Sequence, residues 1–177
     1  MYTIPAIPTR YNGVNFRSRL EAKWAAFFDL LGWRWDYEPV DFPGWIPDFV
    51  IYGKHKQVYV EVKPVTEIDW NVCKKIGLAV GENDMELLLL GQTIFHSNDF
   101  DGTPAIGWLR EWGYWSECVL NEFDEDGNQH PIGFVHAEIG WTDRITGLHS
   151  APPGCFSNVA DFWKEAGNKV QWNPRPC

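Results

Sequence analysis

The sequence predicts an α/β protein, with a compact α/β core over residues 1–92 and a β-rich elaboration over residues 93–177. Residues 16–32 repeat apolar side chains at spacings of three and four, the pattern of an amphipathic helix. Residues 47–63 alternate apolar and polar side chains around "GKHK", the pattern of a β-hairpin. Residues 92–140 are rich in aromatic residues and contain turn-forming stretches, which indicates further strands.

The elements of the core are defined by local start and stop signals. Gly32 follows the first helical pattern, and a glycine commonly ends a helix. Thr66 stands three residues before Asp69, a capping-box pattern for the start of a second helix. The predicted order is an irregular, proline-containing arm over 1–15, a helix over 16–32, a short strand over 33–38, a hairpin over 47–63, a helix over 66–80 and a buried strand over 85–90.

The second part of the chain, residues 93–177, is predicted to be an acidic, aromatic-rich β elaboration that packs on the core. Its strand-like segments flank the turn-like stretch "DEDGNQHP" at 124–131. A short helix is expected over 157–166, ended by Gly167. No linker-like stretch separates the two parts, and the sequence contains no internal repeat.

The net charge of −9 is unevenly distributed along the chain. Residues 1–75 contain ten Lys and Arg against nine Asp and Glu, whereas residues 76–177 contain five against fifteen. Because nucleic-acid binding depends on basic contacts to phosphates, an anion-binding surface is expected in the first 75 residues. No apolar run approaches the ~18 residues of a membrane span, and no secretory signal is visible, so no membrane association is expected.

The cysteines and histidines carry little functional signal. The four cysteines lie far apart without a C-x-x-C pair, which favours reduced thiols and a cytoplasmic location. The five histidines lack paired spacing with cysteine, which argues against a zinc site.

The hairpin places two carboxylates face to face. If Tyr52 pairs with Gln57 across the turn, counting outward along both strands sets Asp48 opposite Glu61 on the polar face. A register shifted by two would set Asp48 opposite Lys63, and the alternation allows both. Directly opposed residues have Cβ atoms ~4.5–5.5 Å apart, where like charges are destabilising. A hard divalent cation such as Mg²⁺, which takes carboxylate oxygens at ~2.0–2.1 Å, would relieve that repulsion.

These residues also resemble a known motif. Pro47-Asp48 followed by "EVK" at 61–63 is similar to the signature of the PD-(D/E)XK nuclease superfamily. Residues 14–92 also resemble short uncharacterised phage and bacterial proteins built on that core. The resemblance implies a restriction-endonuclease-like α-β-β-β-α-β core with a mixed sheet, in agreement with the predicted order of elements.

The resemblance further implies a set of functional residues. Asp48, Glu61 and the Val62 carbonyl would hold Mg²⁺, with Mn²⁺ as a substitute. Lys63 would assist the attacking water, and Glu21 on the first helix occupies the place where this family often has another acidic residue. The expected catalytic set is therefore Glu21, Asp48, Glu61 and Lys63.

Basic residues on and near the two helices of the core are the expected nucleic-acid contacts: Arg17, Arg19, Lys23, Lys74 and Lys75. Ordinary surface roles stay open for several charged groups. Arg17 and Glu21 stand at helical spacing for a surface ion pair. The alternative for the charges of the hairpin is a diagonal salt bridge on a solvated sheet face.

Two functions follow from this pattern. The first is a Mg²⁺-dependent nuclease that hydrolyses phosphodiester bonds of DNA, including branched or single-stranded DNA among the candidate substrates. The alternative is a non-catalytic protein on the same core whose acidic second part binds a basic partner or inhibits a nucleic-acid-binding protein, as a phage counter-defence protein would. The expected location is the cytoplasm of a bacterial host if the protein is phage-encoded. A homodimer stays open because relatives of this core often dimerise.

Overall fold

A seven-stranded sheet carries helices on both of its faces. The computed structural model describes residues 6–100 and 102–171, and within them the chain forms nine strands and three helices, which confirms the predicted α/β class. The helices are α1 (Arg19–Leu30), α2 (Trp70–Val80) and α3 (Val159–Lys169). The strands are β1 (Thr9–Tyr11), β2 (Val14–Phe16), β3 (Arg34–Tyr37), β4 (Phe49–Tyr52), β5 (Gln57–Val62), β6 (Glu86–His96), β7 (Pro104–Glu111), β8 (Tyr114–Phe123) and β9 (Gln129–His136).

The strands of the large sheet follow one another in chain order from β3 to β9. Neighbouring strands are antiparallel except β5 and β6, which are parallel and are joined through α2. The sheet is therefore mixed, and from α1 to β6 the elements have the predicted order of helix, three strands, helix and strand. β6 runs through position 92, although its pairing with β7 is irregular between Leu90 and Phe95, and the division of the chain into 1–92 and 93–177 stays a prediction.

Apolar packing on both faces buries the central strands. α1 and α3 lie on one face, where the ring centroids of Trp24 and Trp163 are 4.3 Å apart. α2 covers the other face, where Ile76 packs in one cluster with Leu87 of β6. Because both faces are covered, residues 60–62 of β5 are all buried, whichever face their side chains point to. A carboxylate at position 61 is therefore placed inside the protein rather than on a solvated sheet.

Residues 9–16 form a hairpin, so the predicted irregular arm is wrong over this range. Asn12 and Gly13, at its turn, both have positive φ, at 46° and 80°. An Asn-Gly pair is a strong signal for a two-residue hairpin turn that needs this conformation at both positions. As β2 takes up the residues before the helix, α1 begins at Arg19 rather than at 16. Residues 1–5 of the predicted arm lie outside the described residues.

The second helix begins later than predicted. The side chain of Asp69 accepts hydrogen bonds from the backbone N–H groups of Asn71 and Val72, at 2.9 and 3.2 Å. Asp69 is therefore the N-cap, and the predicted start at Thr66 is wrong because Thr66 does not cap the helix.

Two later elements are longer than predicted. β6 continues to His96, beyond the predicted end at 90. α3 runs over Val159–Lys169 and passes through Gly167, which was expected to end it. α3 packs against α1 at this position, since a Cβ on Gly167 would lie 3.3 Å from the end of the Lys23 side chain. Among the described residues, no helix has the length and hydrophobicity needed to cross a bilayer.

Candidate active site

The register of β4 and β5 brings the two predicted carboxylates together. Tyr52 pairs with Gln57, and the ladder continues to Phe49 opposite Val60, as predicted from the alternation. The next step outward is Asp48 and Glu61, so the alternative pairing of Asp48 with Lys63 is wrong. The Asp48 and Glu61 residues are only 8% and 6% exposed. Two like charges therefore share one buried location.

Glu61 is neutralised by a lysine from its own strand end. The Nζ atom of Lys63 lies 2.5 Å from Oε1 of Glu61, and the Lys63 side chain is 39% exposed. Burial lowers the pKa of Lys63, but the hydrogen bond to Glu61 and the nearby negative charges outweigh it, so the pKa is raised overall. This ion pair joins two residues of one strand end, whereas the diagonal salt bridge across the two strands of a solvated sheet face, the other expectation for these charges, is not formed among the described residues.

Trp45 holds the second oxygen of Glu61, a role that the sequence did not indicate. Its indole N–H donates to Oε2 of Glu61 at 2.6 Å. Phe42 and Trp45 exchange two backbone hydrogen bonds across a tight turn in which Gly44 has a φ of 83°. This turn sets the ring of Trp45 over the end of β5. A tryptophan in a loop carries no sequence signal for such a contact.

Asp48 is held by the backbone at the end of β5. Its Oδ2 atom accepts a hydrogen bond from the Val62 N–H at 2.7 Å, the only one that the described residues give to this side chain. Burial, together with the charge of Glu61, raises the pKa of Asp48 to about 7. The carboxyl pair therefore carries more negative charge than its surroundings stabilise, which is the situation that a cation would relieve. Val62 contributes its N–H here, and a ligand role for its carbonyl stays a prediction.

Glu21 lies near the pair but is engaged in capping α1. Its carboxylate accepts hydrogen bonds from the Ser18 hydroxyl at 2.7 Å and from the Tyr37 hydroxyl at 2.6 Å. Glu21 is buried, and its charge contributes to the raised pKa of Asp48. A surface pair with the Arg17 side chain, the other expectation for Glu21, is not formed. Arg17 pairs with Glu38 instead, at 2.7 Å.

An open cavity of about 420 Å³ exposes this cluster to solvent. Its charged lining consists of the carboxylates Asp41, Asp48 and Glu61 and the cations Arg17, Lys63 and Lys75. A second cavity of about 450 Å³ runs along α2, is lined by Lys74 and Lys75, and shares Gly44 and Lys75 with the first. The two cavities therefore adjoin at Gly44 and Lys75, and we refer to them together as the groove between the carboxylates and the basic surface of α2.

The predicted nucleic-acid contacts divide into two groups. Lys74 and Lys75 are exposed on α2, and Arg17 is 64% exposed at the rim of the cavity. Lys23 instead lies between helices, with its Nζ atom 3.9 Å from the centroid of the Trp163 ring, and burial lowers its pKa. Arg19 does not line the cavity formed by the described residues, and its Nε atom is buried without a hydrogen-bond partner among them.

The donor set fits a hard divalent ion. Two buried carboxylates face each other at the base of an open cavity, and oxygen donors of this kind are the ligands that Mg²⁺ prefers. The lysine beside them supplies a positive charge that would face a phosphate in the same cavity.

Comparisons with known proteins do not add to this description. No family model, no curated protein and no solved structure matches the chain.

Proposed function

We propose that the protein is a Mg²⁺-dependent nuclease of the PD-(D/E)XK type that hydrolyses phosphodiester bonds of DNA. The observation that carries the proposal is the buried pair of Asp48 and Glu61 with Lys63 beside it, at the base of an open groove. The order of elements from α1 to β6 supports a restriction-endonuclease-like core, since it matches the α-β-β-β-α-β order of that superfamily.

Asp48 and Glu61 would hold Mg²⁺, or Mn²⁺ in its place, together with the Val62 carbonyl. Such an ion supplies a Lewis acid for the scissile phosphate and lowers the pKa of a bound water. The role of the protein's own residues is to hold the two carboxylates in position. The Val62 N–H holds Oδ2 of Asp48, and the Trp45 indole N–H holds Oε2 of Glu61. The other oxygen of Asp48 has no protein hydrogen bond among the described residues.

Lys63 is placed to act on the substrate. Its ammonium lies at the cavity wall and is partly exposed, so it is within reach of an anionic oxygen that enters the groove. In the proposed reaction it orients the attacking water or stabilises charge on the phosphoryl oxygens. Its present partner is Glu61, and a cation bound to Glu61 would compete with that contact.

The groove along α2 is the proposed path of the DNA strand. Lys74 and Lys75 line it, and Arg17 stands at the rim of the same opening. These residues belong to the first 75 positions, in which basic and acidic residues are nearly balanced, so the overall negative charge of the protein does not oppose binding there. Lys23 and Arg19 have no part in this path.

A plasmid-nicking assay tests the proposal. Supercoiled DNA is incubated with Mg²⁺ or Mn²⁺ and with the wild type, Asp48→Asn or Asp41→Asn. We expect the wild type to nick DNA and Asp48→Asn to lose at least about 100-fold in rate, because the ion loses a ligand. Asp41→Asn is the matched control, because Asp41 is an exposed carboxylate in the same cavity but outside the facing pair. A wild type that is inert on DNA and RNA with both ions, or full activity in Asp48→Asn, contradicts the proposal.

One observation favours a second candidate function. Both oxygens of Glu61 already have partners, Lys63 and Trp45, so this one carboxylate of the pair is satisfied without an ion. A non-catalytic protein on this core would need no more than that. Its acidic second part is less charged on the surface than the sequence suggests, because Glu86, Glu111, Glu122 and Asp143 are buried. A stoichiometric protein partner that survives the Asp48→Ala and Glu61→Ala substitutions in a pull-down would favour this function over the nuclease.

A further inference from the structure

A second pair of carboxylates lies at the opposite end of the central strands. Glu86 begins β6 and Glu111 ends β7, and the side chain of Arg144 reaches both. Arg144 lies in the segment after β9. This segment contacts the β4–β5 turn, where the backbone N–H of His55 donates a hydrogen bond to the carbonyl of Arg144. Gln57 begins β5 beside the His55 turn, and Glu61 lies four residues further along the same strand, a distance of about 13 Å. The cluster is therefore separate from the Asp48 site.

The cluster carries more negative than positive charge. Two carboxylates, Glu86 and Glu111, face one guanidinium, that of Arg144, and all three side chains are at least nine-tenths buried. Arg144 donates to Oε2 of Glu86 at 2.7 Å and to Oε2 of Glu111 at 2.8 Å. Among the described residues, Oε1 of Glu86 is buried and has no hydrogen-bond partner. A buried carboxylate oxygen without a partner is costly, and a cation bound at this oxygen would remove that cost.

His55 faces that oxygen from the β4–β5 turn. Its Nε2 atom lies 3.7 Å from Oε1 of Glu86, beyond hydrogen-bond distance, and the His55 side chain is 29% exposed. One ligand atom from each of His55, Glu86 and Glu111 falls within 4.8 Å of the others. Ligands of a tetrahedral zinc ion stand ~3.4 Å apart, given bonds of ~2.0–2.2 Å. The separation of 3.7 Å between His55 Nε2 and Glu86 Oε1 is close to this value, and the other pairs, which lie within 4.8 Å, would draw together around an ion.

We propose that His55, Glu86 and Glu111 bind one Zn²⁺ ion, with solvent in the fourth position. Arg144 fixes one oxygen of each carboxylate and leaves the other for the metal, which is the usual task of groups that hydrogen-bond to metal ligands. The imidazole nitrogen selects zinc over Mg²⁺, which prefers oxygen ligands only. The ion would fasten the β4–β5 turn to the ends of β6 and β7. The site is independent of the proposed nuclease function.

The spacing of histidines and cysteines argued against zinc, because it detects only ligands that are close in sequence. The three ligands here are 31 and 25 residues apart and are joined only by the sheet. Fold geometry, rather than a motif, assembles the cluster.

Zinc titration of the full chain tests the site. All proteins carry Asp48→Asn, so that the first carboxylate pair does not contribute, and Cys177→Ser, so that this thiol does not compete. We expect one equivalent of Zn²⁺ to bind and to raise the thermal unfolding temperature. His55→Ala, at a partly exposed turn, is expected to weaken binding at least about 10-fold, whereas the control His96→Ala at another exposed histidine leaves it unchanged.

Cobalt absorption gives a second readout, since Co²⁺ bound through the His55 imidazole in a four- or five-coordinate site produces intense visible bands. Glu86→Gln is expected to remove these bands. If that variant unfolds, His55→Ala carries the same test, because its side chain is not part of the buried network. Two results would overturn the proposal: no zinc binding in the protein that carries only Asp48→Asn and Cys177→Ser, or binding of equal strength after His55→Ala. The cluster would then be an arginine–carboxylate network alone.

Discussion

The two ends of the central sheet solve the same electrostatic problem in different ways. At one end Asp48 and Glu61 face each other beside the partly exposed Lys63, at the wall of an open cavity. At the other end Glu86 and Glu111 share Arg144, whose side chain is completely buried. Both ends therefore place two carboxylates around one cation, and only the first opens onto a groove lined with further basic residues.

The comparison shows that a pair of carboxylates does not by itself define an active site. A guanidinium holds two carboxylates in fixed directions and keeps its charge, so the Arg144 end is suited to fastening strands together. An ammonium on a flexible stem is able to leave its partner and follow a substrate, so the Lys63 end is suited to chemistry. The accessibility of the compensating cation, 39% for the Lys63 side chain and 0% for that of Arg144, separates the two proposed roles.

The largest expected difference between the two ends is in stability. Arg144→Met leaves two buried carboxylates without a partner and is expected to lower the free energy of unfolding by about 3–5 kcal/mol. Lys63→Met removes a partly exposed ammonium, and its buried partner Glu61 keeps the Trp45 hydrogen bond and access to an open cavity, so we expect a smaller loss of about 1–2 kcal/mol. Urea unfolding in the presence of EDTA measures both. Equal losses would mean that Lys63 has the same structural role as Arg144, and the distinction would fail.

The pH dependence of stability sharpens the comparison further. The pKa of Asp48 is raised in the folded state to about 7 from the ordinary value of 3.8, so the folded protein binds a proton that the unfolded chain has already released. The free energy of unfolding should therefore fall as the pH rises from about 4 to about 7, by at most about 4 kcal/mol from this group.

Urea unfolding of the metal-free protein across this pH range, compared with Asp48→Asn, measures the contribution. The Asn variant does not titrate at this position, and its curve should be flatter over the same interval. Wild-type and variant curves that run parallel would show that Asp48 does not hold the extra proton, and the electrostatic account of the pair would be wrong.

Catalysis comes next in expected size. Lys63→Met is expected to reduce DNA cleavage by about 100-fold while leaving metal affinity unchanged or higher, because in the proposed reaction the ammonium acts on water or phosphate, and because it occupies Glu61. Lys54→Met, an exposed lysine in the β4–β5 turn, is the control. A Lys63→Met variant that cleaves at the wild-type rate assigns Lys63 to packing alone.

The smallest effect concerns the basic groove. Lys74→Ala and Lys75→Ala are each expected to weaken DNA binding several-fold, and to reduce the dependence of log affinity on log salt by about 0.9 for each duplex phosphate that the variant no longer neutralises. Lys23→Ala is the matched control, since its ammonium lies over Trp163 and not in the groove. Anisotropy titration at several salt concentrations measures the slopes. Equal effects of all three lysines would place the DNA elsewhere.

The sequence predicts best what is decided locally. The register of β4 and β5 follows from alternation over a short turn, and it correctly sets Asp48 beside Glu61. The order of elements through β6 is also predictable, because each helix and strand has its own periodic pattern. The N-terminal hairpin was equally local, and the Asn12-Gly13 turn was a sufficient signal for it.

What the sequence does not reveal depends on contacts between distant segments. Lys23 is a basic helix residue by its pattern, and only the docking of α3 shows that Trp163 covers it. Glu86 and Arg144 are 58 residues apart, and no spacing rule predicts that they meet. The burial of both sheet ends likewise follows from the packing of helices and loops that come from the whole chain.

The central claim is that Asp48 and Glu61 form a binding site for a divalent cation. Calorimetric titration with Mg²⁺ tests it most directly, with His55→Ala in every protein so that the second cluster does not contribute. The account predicts one saturable equivalent of Mg²⁺, a loss of at least about 10-fold in affinity in Asp48→Asn, and no loss in Asp41→Asn. Absence of Mg²⁺ binding, or an affinity that is the same after Asp48→Asn, would contradict it.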